Sequence, residues 1–215
     1  LHKSIFVMPR VNPDGLRSQR RTNANHVDLN RNFPTLNFMP NAHKGTAYYA
    51  GPAALSEPES QVIHELLSPF IRPESKHKVK ILTIHAPYAV NNYDGPARAL
   101  AERMRLFNQY PVSADIGYPT PGSFGSYYGK EKGLRVVTLE TDNGSPQSAW
   151  QRHEKALLAF LQFPHPELSP PPVPAETVLA LSEGPDRGAR RHRSYARPTG
   201  ATSPRSPAAR HRARR

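Results

Sequence analysis

Asn12-Pro13-Asp14-Gly15, then Arg21-Thr22-Asn23, then Val27-Asp28-Leu29-Asn30-Arg31-Asn32-Phe33-Pro34 form one polar stretch whose reading decides the fold. It lacks helical or strand periodicity and packs turn-formers, arginines and amides into a short span. A run this polar builds no core. It is either a solvated loop or a surface that grips an anionic, hydrogen-bonding ligand. Guanidinium groups beside asparagine amides are the chemistry that holds a carboxylate in a fixed orientation. On composition alone the two readings stand level, because short polar motifs also arise by chance.

Outward from this block, strand-like and helix-like segments alternate, which predicts an α/β fold. Ser4-Ile5-Phe6-Val7-Met8-Pro9 reads as a strand running into the first motif. Ser56 with Glu59 three residues on reads as a capping box. It opens a helix with Val62, Ile63, Leu66, Leu67 and Phe70 as its apolar stripe, ended by Pro73. Val79 to Ile84 is a β-branched run that predicts a buried strand with His85 at its carboxyl end. A second helix starts at Asp94 or Gly95, with Pro96 in its first turn and Leu100, Met104 and Phe107 on one face. Leu134 to Leu139 predicts another strand, ending at Glu140. Ser145-Pro146 caps a last helix carrying Trp150, Leu157, Leu158 and Leu161. Two ionisable residues, His85 and Glu140, thus fall at the carboxyl ends of predicted strands, the edge where open α/β sheets bind ligands.

The 215 residues suit one domain with a proper core. The chain is not uniform along its length. Residues 164–183 read as a proline-rich linker, and 184–215 as a disordered, arginine-rich tail without periodicity. That tail holds ten arginines and one acid, so only +3 of the net +12 belongs to residues 1–183. The basic character is therefore a property of the tail and not of a nucleic-acid-binding face on the body. With no cysteine, disulfides, thiolate metal sites and a cysteine nucleophile are excluded. No apolar run approaches the length needed to span a bilayer.

The motif block resembles the substrate-binding region of the zinc-dependent metallocarboxypeptidases (the M14 peptidases), and within them the bacterial murein peptide amidases. The resemblance continues through Ser56-Glu57-Pro58-Glu59, Ile84-His85-Ala86-Pro87 and Gly117-Tyr118-Pro119-Thr120-Pro121-Gly122-Ser123-Phe124-Gly125-Ser126, and ends at Val137-Thr138-Leu139-Glu140. It covers most of residues 1–163. It implies a mixed central sheet flanked by helices, one zinc ion, and hydrolysis of an amide next to a free carboxylate. The amidase branch implies the γ-D-glutamyl–diaminopimelate bond of murein peptides and a cytoplasmic location.

Carried over residue by residue, the resemblance makes His85 a zinc ligand and Glu140 the general base. Arg21 faces the oxyanion, Asn30 and Arg31 hold the substrate carboxylate, and Tyr118 lies near the family's substrate-capping tyrosine. Each residue also has a plainer reading. His85 could be a hydrogen-bonded structural residue, Glu140 an ordinary strand-end acid, and Arg31 a partner of Asp28. Glu57 and Glu59 read as helix-capping residues.

Two features depart from the family's pattern. Its other zinc ligands come from a His-x-x-Glu pair ahead of Asn12, and no histidine here has a glutamate three residues later. The domain is therefore expected to be incomplete at its N-terminus. His26 stands where the family has glycine, at a position that calls for left-handed backbone. The alternatives are a general carboxypeptidase or deacylase, a catalytically inactive carboxylate-binding module, and a nucleic-acid binder working through the tail.

Overall fold

The computed structural model describes residues 4–40 and 46–164. All of the arginine-rich tail, and the linker beyond Pro164, lie outside the described residues. Four strands form a mixed sheet: β1 (Lys80–His85), β2 (Val90–Asp94), β3 (Val112–Ser113) and β4 (Arg135–Glu140), in the order β1-β4-β2-β3. β1 runs parallel to β4 and β2 parallel to β3, while β2 and β4 are antiparallel. Around the sheet lie α1 (Pro13–Ser18), α2 (Pro58–Leu67), α3 (Arg98–Asn108), a π-helix (Gly125–Glu131) and α4 (Pro146–Gln162). None of the described helices is long and apolar enough to cross a membrane.

The period-2 alternation of the strands sends their side chains to two different environments. Leu82, Val137 and Leu139 pack against Leu100, Ala101 and Met104 of α3 and Ala156 and Phe160 of α4. The residues between them face the other way. There Ile81 and Val136 lie with Phe33, Tyr127 and Tyr128 and with Ile63 and Leu67 of α2. Along this second face the strands turn polar toward the carboxyl ends of β1 and β4: Ile81 gives way to Thr83 and His85, and Val136 to Thr138 and Glu140. That gradient makes one end of the sheet core and the other end a site.

Several sequence expectations are corrected here. Ser4 to Pro9 forms no strand, and Ile5, Phe6 and Val7 are exposed. α2 begins at Pro58 with Glu57 as its N-cap, so Ser56 and Glu59 make no capping box. The Ser56 hydroxyl donates instead to Glu57 Oε1 at 2.7 Å. Only Ile63 and Leu67 of its expected stripe are buried, and the helix passes into a short 3-10 turn at Ser68 well before Pro73. Asp94 ends β2 rather than starting a helix, and α3 starts at Arg98.

Ser145 does cap α4, accepting from the Ser148 N–H at 3.1 Å. Its buried face is His153, Ala156, Ala159 and Phe160, while Trp150 is 57% exposed. Small residues win that face because alanines let α4 lie close on α3, whereas a reading by hydrophobicity picks out the large side chains first.

Candidate active site

The polar block is not a strand or a long helix but a set of short turns locked by their own side chains. Asn12 Oδ1 accepts from the Gly15 N–H at 2.8 Å and caps α1. Asn23 Oδ1 accepts from the N–H groups of Asn25 and Val27, closing the next turn. His26 within it has φ +65°, the left-handed backbone expected at that position. Asp28 caps the 3-10 turn Leu29–Arg31 by accepting from the Asn30 N–H at 3.1 Å. Behind these turns Glu57 is buried and accepts from Asn23 Nδ2 at 2.7 Å and Asn25 Nδ2 at 2.8 Å. Glu57 therefore braces the loop as well as standing at the helix start.

His85 and Glu140 are register partners on neighbouring parallel strands, so the fold sets them side by side. Both line a cavity of about 270 Å³ with Asn30, Tyr118, Thr138 and Ser126 among its walls. Glu140 is buried, and its Oε2 has no hydrogen-bond partner among the described residues. Burial raises its pKa above the ordinary carboxyl value, although a backbone hydrogen bond from Tyr88 and the charge of Arg21 pull the other way. Burial likewise lowers the His85 pKa, with the charge of Arg21 adding to it.

Arg21 donates from Nε to Asp28 Oδ2 at 2.8 Å. Burial works against its charge, but the charge and hydrogen bond of Asp28, together with Tyr48 and Tyr118, more than offset this and raise its pKa. The carboxylate of Asp28 is thus taken by Arg21 and not, as one sequence reading had it, by Arg31. Arg31 is buried, and its Nη1 donates to the Asn30 carbonyl at 2.6 Å. Both guanidinium groups lie over the Tyr48 ring, Arg21 Cζ 5.2 Å and Arg31 Cζ 5.6 Å from its centre. Removing the Asp28 carboxylate leaves Arg21 without its orienting partner. Asp28→Ala is expected to lower stability by about 2 kcal/mol in urea denaturation, whereas Asp14→Ala at the exposed first turn of α1 leaves the midpoint near its original value.

Asn30 and Arg31 part company. Asn30 lines the first cavity, where its Oδ1 accepts from the Phe124 N–H at 2.9 Å and leaves Nδ2 as the donor for a ligand. Arg31 opens into an adjoining cavity of about 510 Å³ with Tyr48, Tyr88 and Pro121. Tyr118 borders both cavities. Its hydroxyl accepts from that of Tyr88 at 3.5 Å, and its pKa is raised first by that bond and then by burial. A molecule passing Tyr118 would therefore meet Asn30 on one side and Arg31 on the other.

The sequence profile of the zinc carboxypeptidases matches residues 1–148. The chain belongs to the zinc carboxypeptidase family. Murein peptide amidase A of Escherichia coli K12 is 30% identical over 170 residues, which is 73% of this chain and 65% of that protein. The crystal structure of the murein-tripeptide amidase of Escherichia coli O157 superposes with a TM-score of 0.57 at 30% identity, over 70% of this chain and 65% of that one. The bovine thrombin-activatable fibrinolysis inhibitor, at 19% identity and a TM-score of 0.55 over 72% of this chain and 65% of its own, shares the fold. This chain thus spans about 65% of the length of the curated relatives it matches.

The family's metal can be tested against the residues present. Among the described residues no group of three His, Cys, Asp or Glu side chains is placed to hold a metal ion. His85 is a single candidate ligand, and a zinc site needs three from the protein. The described residues therefore do not fit a complete zinc centre.

Sequence reasoning missed part of the cavity wall. Asn92, Asp94 and Lys130 also line it, from β2 and the π-helix. The available signals were weak: Asn92 and Asp94 alternate along one strand face, and Gly125 and Gly129 recur four residues apart.

Proposed function

We propose that this chain carries the substrate cleft of a hydrolase that cleaves an amide next to a free carboxylate. Its substrate is a murein peptide, cut between γ-D-glutamate and diaminopimelate. The observation that carries this reading is the shared rung of His85 and Glu140, under the electrostatic influence of Arg21, in the wall of a polar cavity. Similarity to two murein amidases supports the choice of substrate.

In this reading Glu140 Oε2, unpartnered and of raised pKa, takes a proton from the attacking water and returns it to the leaving nitrogen. Arg21 faces the oxygen that gains negative charge, held there by Asp28. Asn30 Nδ2 and Arg31 approach the carboxylate of the leaving residue from the two sides of Tyr118. Zinc is the cofactor the family implies, and His85 is the ligand this chain offers it. A cytoplasmic setting belongs to the same proposal, and so does the division into a body of residues 1–163, a linker and a tail.

The decisive assay follows diaminopimelate release from the murein tripeptide, with zinc supplied and then chelated. Release makes the chain a hydrolase. A second reading rests on the lack of further metal ligands beside His85 among the described residues: binding without turnover. Calorimetric binding of the tripeptide that survives chelation, with no release, selects it. In either case Arg31→Ala is expected to weaken the free-carboxylate tripeptide about tenfold to a hundredfold and to leave its C-terminally amidated analogue unchanged. Equal losses on both would assign Arg31 to the fold and overturn its role as a carboxylate ligand.

A further inference from the structure

Tyr48 lines the cavity that Arg31 opens into, and the proposed chemistry makes no use of it. It is 58% exposed, and a tyrosine that open is ordinarily a solvated surface residue. Two observations set this one apart. The guanidinium groups of Arg21 and Arg31 both lie over its ring, 5.2 and 5.6 Å from the centre. The backbone that follows it is also tied to the turns bearing those arginines. The Tyr49 carbonyl accepts from the Asp28 N–H at 2.8 Å, and the Ala50 carbonyl accepts from Asn32 Nδ2 at 2.7 Å. Asp28 is the residue that holds Arg21, and Asn32 follows Arg31 in the chain. The ring is thus placed relative to both arginines although much of it is open to solvent.

The two arginines differ in what else holds them. Arg21 is oriented by the Asp28 carboxylate through Nε. Among the described residues no carboxylate lies within ion-pair distance of Arg31, whose Nη1 donates to the Asn30 carbonyl. A carboxylate partner would occupy the donor fork of that guanidinium and offset the charge that is to meet a ligand carboxylate. An aromatic ring does neither. Its quadrupole attracts the cation, and the N–H donors at the guanidinium rim stay free for a ligand. A long side chain held in this way also gives up less rotamer freedom when the ligand arrives.

We infer that Tyr48 is a positioning residue for carboxylate recognition, its ring holding the Arg31 guanidinium in place without using up its charge or its donors. This rests on the reading above, in which Arg31 meets the substrate carboxylate. It adds the group that presets Arg31, and it gives the task to the ring of Tyr48 and not to its hydroxyl.

The test is calorimetric binding of the murein tripeptide and its C-terminally amidated analogue to the 215-residue chain, with a chelator present so that no turnover intervenes. The ratio of the two affinities measures carboxylate recognition. A general disturbance of the cavity lowers both affinities and leaves that ratio alone. Tyr48→Leu is expected to lower the ratio about two- to fivefold, the range of a cation–π contact at an exposed site, with the amidated analogue bound as before. Tyr48→Phe keeps the ring and should keep the ratio of the parent chain. In an Arg31→Ala background Tyr48→Leu should leave the ratio where it is, because the residue it acts through is gone. An unaltered ratio in Tyr48→Leu, equal losses on both ligands, or a fall in Tyr48→Phe as large as in Tyr48→Leu would overturn the assignment. So would a further fall in the Arg31→Ala background. Arg31→Ala by itself separates this failure from that of the reading beneath it. A ratio that survives Arg31→Ala, or no binding of either ligand, removes the carboxylate site and the Tyr48 assignment with it. A ratio lowered by Arg31→Ala and untouched by Tyr48→Leu removes the Tyr48 assignment alone.

Discussion

Glu140→Gln is expected to lower the rate of the proposed amide cleavage by about 10²- to 10⁴-fold, the span that a positioned general base contributes. Glutamine keeps the shape of the side chain and its place beside His85 on β4, but it cannot take a proton from water. The loss is therefore expected in kcat, with KM and the thermal midpoint close to those of the parent chain. The pH profile carries a separate signature. Burial raises the Glu140 pKa above its ordinary 4.5, so activity should fall as pH drops through a value higher than that. The residual activity of Glu140→Gln should lack this acidic limb. Unchanged turnover, or an identical limb in the variant, would remove Glu140 from the chemistry. In a chain that binds without turnover, the same substitution should leave muropeptide affinity within about twofold, because neutral glutamine spares the carboxylate contacts at Asn30 and Arg31.

Gly122→Ala is expected to cost about 3–5 kcal/mol, among the larger effects of a single residue. Gly122 has φ +69°, which an L side chain adopts only at a cost of about 1–2 kcal/mol. A Cβ there would also overlap the Arg31 carbonyl oxygen, and neither strand of backbone can yield freely. Gly122 accepts from the Phe33 N–H at 2.9 Å and donates to Thr35 Oγ1 at 2.9 Å, so it fastens the Tyr118–Ser126 loop to the turn bearing Asn30 and Arg31. Phe33 in turn meets Phe124 and Tyr128 edge-on, at 5.4 and 5.6 Å. The thermal midpoint should fall by roughly 10 °C, and carboxylate binding should weaken with it. Gly117→Ala separates the two causes. Gly117 also has positive φ, at +91°, but a Cβ there meets nothing within 4 Å. A drop in Gly117→Ala as large as that in Gly122→Ala would show that backbone conformation alone accounts for the effect.

The positions of the candidate site residues in the fold were largely legible in the sequence. The carboxyl ends of two apolar runs placed His85 and Glu140, and the short polar motifs placed Arg21, Asn30 and Arg31 in one block of turns. Other features were not. β2 escaped notice because Val90-Asn91-Asn92-Tyr93-Asp94 has little apolar content. Its buried Asn91 is satisfied by Asn108 of α3, which donates to it at 2.9 Å and accepts from it at 3.0 Å. Pairing at that range leaves no local pattern. The same holds for Arg21, whose partnership with Asp28 rather than an Arg31–Asp28 pair depends on how the turns between them close.

The sequence by itself determined the α/β class, the polar block and the strand-end positions of the ionisable residues, because strand pattern and turn chemistry act between near neighbours in the chain. Tertiary structure alone decided that His85 and Glu140 share a rung, that Asn30 and Arg31 open into different cavities, and that Asp94 lies in the same cavity as Glu140. Those relations are set by strand register and by the close packing of glycine-bearing turns, and both join residues far apart in sequence.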